Sequence, residues 1–107
     1  MIHELRIYNL VPGRMPALHQ RFETITSKFF EKHGIKVVGY WEPVVGTSNQ
    51  LIYLVEWESM AQREERWGAF QSDPGWNEAR AKTEASGPIV ASVVNSFLKP
   101  TSYSPLR

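Results

Sequence analysis

Several segments of this sequence alternate as β-strands do, yet they carry large apolar side chains on both faces. Pairing residues 35–45 with residues 50–57 across a turn gives two apolar faces: Val37, Trp41, Ile52 and Leu54 against Val38, Tyr40, Tyr53, Val55 and Trp57. Residues 89–98 do the same, with Ile89, Ala91, Val93 and Phe97 opposite Val90, Val94 and Leu98. A sheet with one wet face alternates apolar with polar residues, so both faces of this sheet are expected to be covered.

The first part of the chain combines one further strand with one long helix. Residues 2–10 alternate as a strand, and apolar residues at steps of three and four then predict an amphipathic helix over about 14–33. Gly34 suits the left-handed conformation that ends such a helix. The basic residues of this helix are expected to form a solvated line: Arg14, Arg21, Lys28 and Lys32.

Two shorter helical pieces precede the last strand. A capping-box pattern at 59–62 opens the first, on which Arg63 and Arg66 are expected to point outward, and an Asp-Pro pair at 73–74 opens the second. The resulting order predicts an α+β fold of the ferredoxin-like βαββαβ type with a four-stranded antiparallel sheet. Since its helices cover one sheet face, a homodimer is expected to cover the other, and the pattern leaves open which face that is.

Composition narrows the functional classes. The 107 residues are 42% apolar, which fits one domain over 1–99 and a C-terminal tail over 100–107. Lys and Arg total 12 against 11 Asp and Glu, so charge favours neither nucleic acid nor an anionic membrane. There is no cysteine and no apolar run that spans a bilayer, and we therefore expect a cytoplasmic protein. The three histidines lack zinc-site spacing, so neither a metal nor a cofactor is expected.

Four segments resemble the NIPSNAP family in order and spacing. They are E-L-R-I-Y-N-L-V-P-G-R at 4–14, H-G-I-K-V-V-G-Y-W at 33–41, N-Q-L-I-Y-L-V-E-W-E-S at 49–59 and D-P-G-W at 73–76. The resemblance implies a dimeric α+β barrel, in which two ferredoxin-like sheets face each other. It also implies similarity in fold to cofactor-free monooxygenases, haem-degrading enzymes and small isomerases, but it supplies no catalytic motif.

Candidate binding residues come from the first strand, the first helix and the hairpin. Glu4, Arg6 and Tyr8 form a polar row that either holds a polar group of a ligand or makes a structural ion pair. His19 is either a base or haem ligand at the edge of the apolar stripe, or a half-buried structural histidine. The hairpin aromatics either line a pocket or pack in the core or interface. The predicted ligand-binding set is Arg6, Tyr8, His19, Tyr40, Tyr53 and Trp57.

The sequence thus favours a homodimer that binds a small organic ligand in a pocket of each subunit, between the sheet and the helices starting near Pro16 and Ser59. The alternatives are a cofactor-independent monooxygenase or isomerase and a non-enzymatic interaction module. A closed cavity with polar groups pointing into it would favour binding or catalysis, whereas a filled core with an exposed patch would favour the interaction module.

Overall fold

The computed structural model describes all 107 residues, and its sheet has four antiparallel strands. The strands are β1 (Ile2–Leu10), β2 (Lys36–Trp41), β3 (Gln50–Trp57) and β4 (Val90–Leu98), in the spatial order β2-β3-β1-β4. The first strand lies in the centre, between β3 and β4. This arrangement confirms the predicted α+β fold with a four-stranded antiparallel sheet.

The helices follow the predicted order, with one interruption. The first helical region consists of α1 (Met15–Arg21), a π-helical turn (Phe22–Thr26) and α2 (Ser27–Lys32), where the sequence pattern predicted one regular helix. The later helices are α3 (Met60–Gln71) and α4 (Pro74–Thr83). Their predicted caps are present, because the Ser59 hydroxyl accepts from the Gln62 amide at 3.1 Å and the Asp73 carboxylate accepts from the Gly75 amide at 2.9 Å.

All helices lie on one side of the sheet, and the register fixes which strand residues face them. Glu4 lies opposite Val55 and Arg6 lies opposite Tyr53, so the polar row of β1 shares its face with the buried residues of β3. The main core forms between this face and the helices. Its buried apolar residues are Leu10, Leu18, Phe22, Phe30, Ile35, Leu51, Tyr53, Val55, Trp57, Trp67, Phe70, Trp76 and Ile89.

Two irregularities change the predicted faces of single residues. The register between β2 and β3 shifts between Val37 and Gly39, so that Val37 lies opposite Val55 and packs against the core, not beside Trp41 as predicted. A second shift, next to Leu10, places Val90 opposite Leu10, where it packs against the core. The alternation had grouped Val90 with Val94 and Leu98, which lie on the other face of the sheet. A bulge inserts one residue, and one residue is enough to exchange the two faces.

The second sheet face has no helix over it. Trp41, Val94 and Leu98 lie on this face and are 52%, 53% and 44% exposed. A Cβ on Gly39 would come within 2.8 Å of the Trp41 ring, so only glycine lets the indole lie close to the strand. The molecule measures 46 × 36 × 19 Å, the thinnest dimension matching one sheet and one helix layer. None of its helices is long and apolar enough to cross a membrane.

Candidate functional site

A carboxylate with no exposed surface, that of Glu4, lies on the helix side of the central strand. One oxygen, Oε1, accepts hydrogen bonds from Trp57 Nε1 at 3.1 Å and Arg63 Nε at 3.2 Å. The other, Oε2, accepts from Arg6 Nη1 at 2.9 Å, Asn95 Nδ2 at 3.0 Å and Arg63 Nη2 at 3.2 Å. Burial opposes ionisation of Glu4, but these donors outweigh it and hold its pKa below the ordinary value. Glu4 is therefore a fixed negative charge that orients its neighbours.

Arg6 connects this carboxylate to two phenols. Its Nε donates to Tyr53 Oη at 2.8 Å, and a further hydrogen bond of 2.7 Å joins Tyr53 Oη to Tyr8 Oη. Its guanidinium carbon lies 4.3 Å from the centre of the Trp67 ring. Burial raises the pKa of Tyr53 well above its ordinary value, so this phenol stays neutral. Burial works against the charge of Arg6, yet its polar neighbours raise the pKa of Arg6 above the ordinary value.

A cavity of about 260 Å³ lies between the sheet and the helices, and we call it the inner cavity. Its buried walls combine the aromatic side chains Phe22, Phe30, Phe70 and Trp76 with the polar side chains Arg6, Arg21 and Thr26. Its exposed rim includes residues 91–93 of β4 and Arg80 of α4. The inner cavity therefore opens at the edge of the sheet formed by β4.

Two side chains that line the inner cavity each carry one polar atom without a partner in the protein, Arg21 Nε and Thr26 Oγ1. Both side chains are buried, with Arg21 and Thr26 only 5% and 3% exposed. Arg21 uses Nη1 to donate to Glu84 Oε1 at 3.2 Å and to Thr83 Oγ1 at 3.4 Å. Buried polar atoms nearly always have hydrogen-bond partners, so these two atoms are exceptions, and neither lies at the surface that faces the cavity.

A second cavity, of about 430 Å³, lies between the first helical region and the end of β2, and we call it the outer cavity. His19 and Tyr40 line it, and His19 Nε2 lies 3.2 Å from Glu42 Oε2. Partial burial, with a smaller contribution from Tyr8, raises the pKa of Tyr40 to about 12. The His19 and Glu42 side chains are 42% and 55% exposed, so water competes for their hydrogen bond.

The six residues predicted to bind a ligand occupy three places. Arg6 and Tyr8 line the inner cavity, and His19 and Tyr40 line the outer cavity. Tyr53 and Trp57 line neither cavity; they are buried behind Arg6 and Glu4, which they contact by hydrogen bonds. Hydrogen bonds thus join four of the six in a chain that runs from Trp57 through Glu4, Arg6 and Tyr53 to Tyr8. The role of all six in ligand binding stays a prediction.

Two arginines were placed wrongly by the sequence pattern. Arg63 does not point outward, because its guanidinium bonds Glu4 and its side chain is 15% exposed, and Arg21 does not belong to a solvated line. Both positions carried a signal in their spacing. Arg63 precedes Trp67 by four residues and Arg21 follows Leu18 by three, so each shares a helix face with a core residue. Their long stems let the charged ends reach polar groups inside.

Comparison with known proteins gives the following similarities. The NIPSNAP family model matches residues 3–105. An uncharacterized NIPSNAP-like domain protein from Burkholderia xenovorans is 29% identical, with coverage of 97% of this chain and 88% of that chain and a TM-score of 0.87. A nipsnap family protein with unknown function from Agrobacterium tumefaciens is 27% identical, with coverage of 100% of this chain and 94% of that chain and a TM-score of 0.89.

More distant structures share the fold. A putative antibiotic biosynthesis monooxygenase from Deinococcus radiodurans is 11% identical, with coverage of 100% of this chain and 99% of that chain and a TM-score of 0.62. At this identity the likeness concerns the fold alone. No curated protein matches the chain. The relatives thus give a family and a fold without a specific activity.

Proposed function

This chain belongs to the NIPSNAP family, and from that premise we propose that it is a homodimer whose subunits each bind a small organic ligand in the inner cavity. The observation that carries the proposal is the inner cavity itself, about 260 Å³ of space lined by aromatic side chains and by the polar side chains of Arg6, Arg21 and Thr26. A concave site that is largely apolar and holds a few polar groups suits a small organic ligand.

The surroundings of the inner cavity support binding in a fixed orientation. Aromatic rings form much of its buried wall, which suits an organic ligand with a flat apolar part. Arg6 and Tyr8 reach the cavity already held by hydrogen bonds to Glu4 and Tyr53. Groups that are fixed before binding lose little freedom when the ligand arrives, so less of the interaction free energy is lost to ordering.

The homodimer is supported by the open sheet face. Four strands at ~4.8 Å spacing, with a rise of ~3.4 Å over about eight residues, give a face of roughly 500 Å². Burying this face in both subunits, at ~25 cal/mol per Å², corresponds to about 25 kcal/mol gross, against a cost of association of ~4–15 kcal/mol. The exposed side chains of Trp41, Val94 and Leu98 would supply much of the contact.

A cytoplasmic location is part of the same proposal. It is supported by a sequence of 107 residues without a cysteine, a composition typical of proteins that have no need of disulfide bonds. Fractionation of the native host, followed by immunodetection of the chain, tests it: recovery with the cytoplasmic marker supports the proposal, and recovery with an exported marker contradicts it.

The ligand proposal is tested by a thermal-shift screen of small organic compounds, preceded by mass spectrometry of whatever copurifies with the dimer. A compound present at 100 times its Kd stabilises the folded state by ~2.7 kcal/mol, which for a chain of 107 residues raises Tm by about 12 °C. The screen is repeated on Ala91→Phe, which fills the rim of the inner cavity, and on the matched control Ala85→Phe.

Stabilisation that is lost in Ala91→Phe and kept in Ala85→Phe would support a ligand in the inner cavity. Equal stabilisation of both variants, or no stabilising compound at all, would contradict the proposal. Chemical conversion of the bound compound during incubation would favour the alternative of a cofactor-independent monooxygenase or isomerase over a binding protein. Each result concerns the protein as purified, without added metal or cofactor.

A further inference from the structure

The hydrogen bonds around the Tyr53 hydroxyl have only one direction that satisfies every group. This hydroxyl accepts from Arg6 Nε at 2.8 Å and lies 2.7 Å from the Tyr8 hydroxyl, and it makes no other hydrogen bond. Since Arg6 is a donor only, the one acceptor for the Tyr53 proton is Tyr8 Oη. Tyr53 has no exposed surface, so a hydroxyl proton without an acceptor would be costly there. Tyr53 therefore donates to Tyr8.

This direction leaves the proton of the Tyr8 hydroxyl unused. A phenol carries one proton, and Tyr8 Oη receives the hydrogen bond from Tyr53, so its own proton is free for another acceptor. Tyr8, unlike Tyr53, is only partly buried, and it lines the inner cavity. Its ring centre lies 6.1 Å from that of Phe22, which lines the same cavity. The Tyr8 hydroxyl is therefore the donor that the network presents to a molecule in the inner cavity.

Arg6 strengthens this donor without requiring a negatively charged ligand. The bonds run from the Arg6 guanidinium to Tyr53 and from Tyr53 to Tyr8, and successive hydrogen bonds in such a chain polarise one another. The Tyr8 proton is thereby a better donor than that of an isolated phenol. The charge of Arg6 is itself matched by Glu4 at 2.9 Å. A neutral oxygen is therefore a sufficient partner for Tyr8.

A carbonyl oxygen matches this donor better than a hydroxyl does. A carbonyl only accepts, whereas a phenol or an alcohol brings a further proton that needs an acceptor of its own. The carboxylate of the network, Glu4, already accepts from Trp57, Arg63, Arg6 and Asn95 and has no exposed surface. The network thus offers a donor to the cavity and no acceptor.

The rest of the inner cavity defines the body of the ligand. Its volume of about 260 Å³ equals that of eight or nine waters at ~30 Å³ each, which limits the ligand to roughly one ring and a short substituent. Phe22, Phe30, Phe70 and Trp76 provide aromatic surface for the ring. We infer that the ligand is a small aromatic ketone or aldehyde whose carbonyl oxygen accepts a hydrogen bond from the Tyr8 hydroxyl.

This inference rests on the proposed ligand-binding function and is tested by NMR titration of the intact, ¹⁵N-labelled protein with two matched probes, acetophenone and α-methylstyrene. They have the same ring and shape, and a CH₂ group in the second replaces the carbonyl oxygen of the first. Tyr8→Phe removes only the hydroxyl. It should weaken acetophenone at least about fivefold, the value of one hydrogen bond, and leave the affinity for α-methylstyrene within about twofold.

Tyr103→Phe is the matched control. Tyr103 is 85% exposed in the C-terminal tail and does not line the inner cavity, so the same substitution there should leave the affinity for both probes unchanged. The amide spectrum shows whether each variant folds. If Tyr8→Phe does not fold, wild type carries the test with acetophenone labelled with ¹³C at the carbonyl. Hydrogen bonding moves a carbonyl carbon signal downfield, so a downfield shift on binding is expected, and an unchanged signal would overturn the inference.

The outcomes separate the inference from the proposed function. If Tyr8→Phe changes the affinity for both probes equally or for neither, and Ala91→Phe abolishes binding, the carbonyl assignment is overturned and the inner cavity is kept as the ligand site. Acetophenone binding that survives Ala91→Phe would place the probe elsewhere and count against both. Absence of acetophenone binding at millimolar concentration would overturn the aromatic carbonyl compound, while the compound screen would still decide the proposed function.

Discussion

Glu4→Gln is the substitution that tests the buried polar network most sharply. The amide conserves the shape of the side chain but removes a negative charge that accepts hydrogen bonds from Arg6, Arg63, Trp57 and Asn95. Removing one partner of a buried ion pair typically costs about 3–5 kcal/mol, because the remaining charge stays buried. At ~2.1 cal/mol/K per residue, a chain of 107 residues then loses about 13–22 °C in Tm.

Thermal denaturation followed by circular dichroism measures this loss, with Glu58→Gln as the control. Glu58 follows β3, is exposed and makes no side-chain hydrogen bond, so its replacement should change stability by less than about 0.5 kcal/mol. A Tm decrease of less than about 4 °C for Glu4→Gln, about 1 kcal/mol on the same scale, would refute the network as a major source of stability.

The pH dependence of the same pair of proteins provides a second check on Glu4. Its folded pKa lies below the ordinary value of 4.5, so the ionised form contributes stability that is fully present above 4.5 and is lost as the pH falls through the lower folded pKa. The difference in Tm between wild type and Glu4→Gln should therefore be constant near neutrality and shrink in acid. A difference that grows below pH 4.5 would contradict the assigned direction.

Three further substitutions test other parts of the structure. Thr26→Val removes a buried hydroxyl without a partner and should raise the free energy of unfolding in urea by about 1 kcal/mol; a clear decrease would reveal a missed partner. Hydrogen bonds from Lys32 and His33 lower the pKa of Asp73, so its ionised form stabilises the wild type above the ordinary pKa of 3.8, and this stabilisation is lost at lower pH. Asp73→Asn lacks this contribution, so it should be less stable than the wild type near neutrality and approach it in acid. Parallel pH profiles of the two proteins would contradict this. Val94→Lys places a charge on the open sheet face and should cause aggregation or loss of soluble protein, while sedimentation of wild type as a stable monomer would refute the dimer.

The element order could be predicted from the sequence because each element carries its own local signal. The caps at Ser59 and Asp73 act within one turn of their helices, and strand alternation follows from backbone geometry. The errors occurred where one extra residue enters a regular element, as at Val37 and Val90. A bulge or a π-helical turn is favoured by packing against distant parts of the chain, and a local pattern does not record that packing.

The candidate site was only partly predictable for a related reason. Arg6 and Tyr8 were identified because charges in an apolar strand need partners, and that argument uses the strand alone. Thr26 lies in the π-helical turn and Arg21 directly precedes it, and the periodicity of the helix did not indicate this turn. Arg63 required recognition that a basic residue one turn before Trp67 lies on the core side, where its long stem allows it to reach Glu4.

The most direct test of the proposed function is a crystal structure of the protein with the most stabilising compound of the screen. We expect density for the compound in the inner cavity of each subunit, packed against Phe70 and Trp76, and a second subunit covering the open sheet face. Density only between two facing sheets, or only in the outer cavity beside His19, would contradict the account.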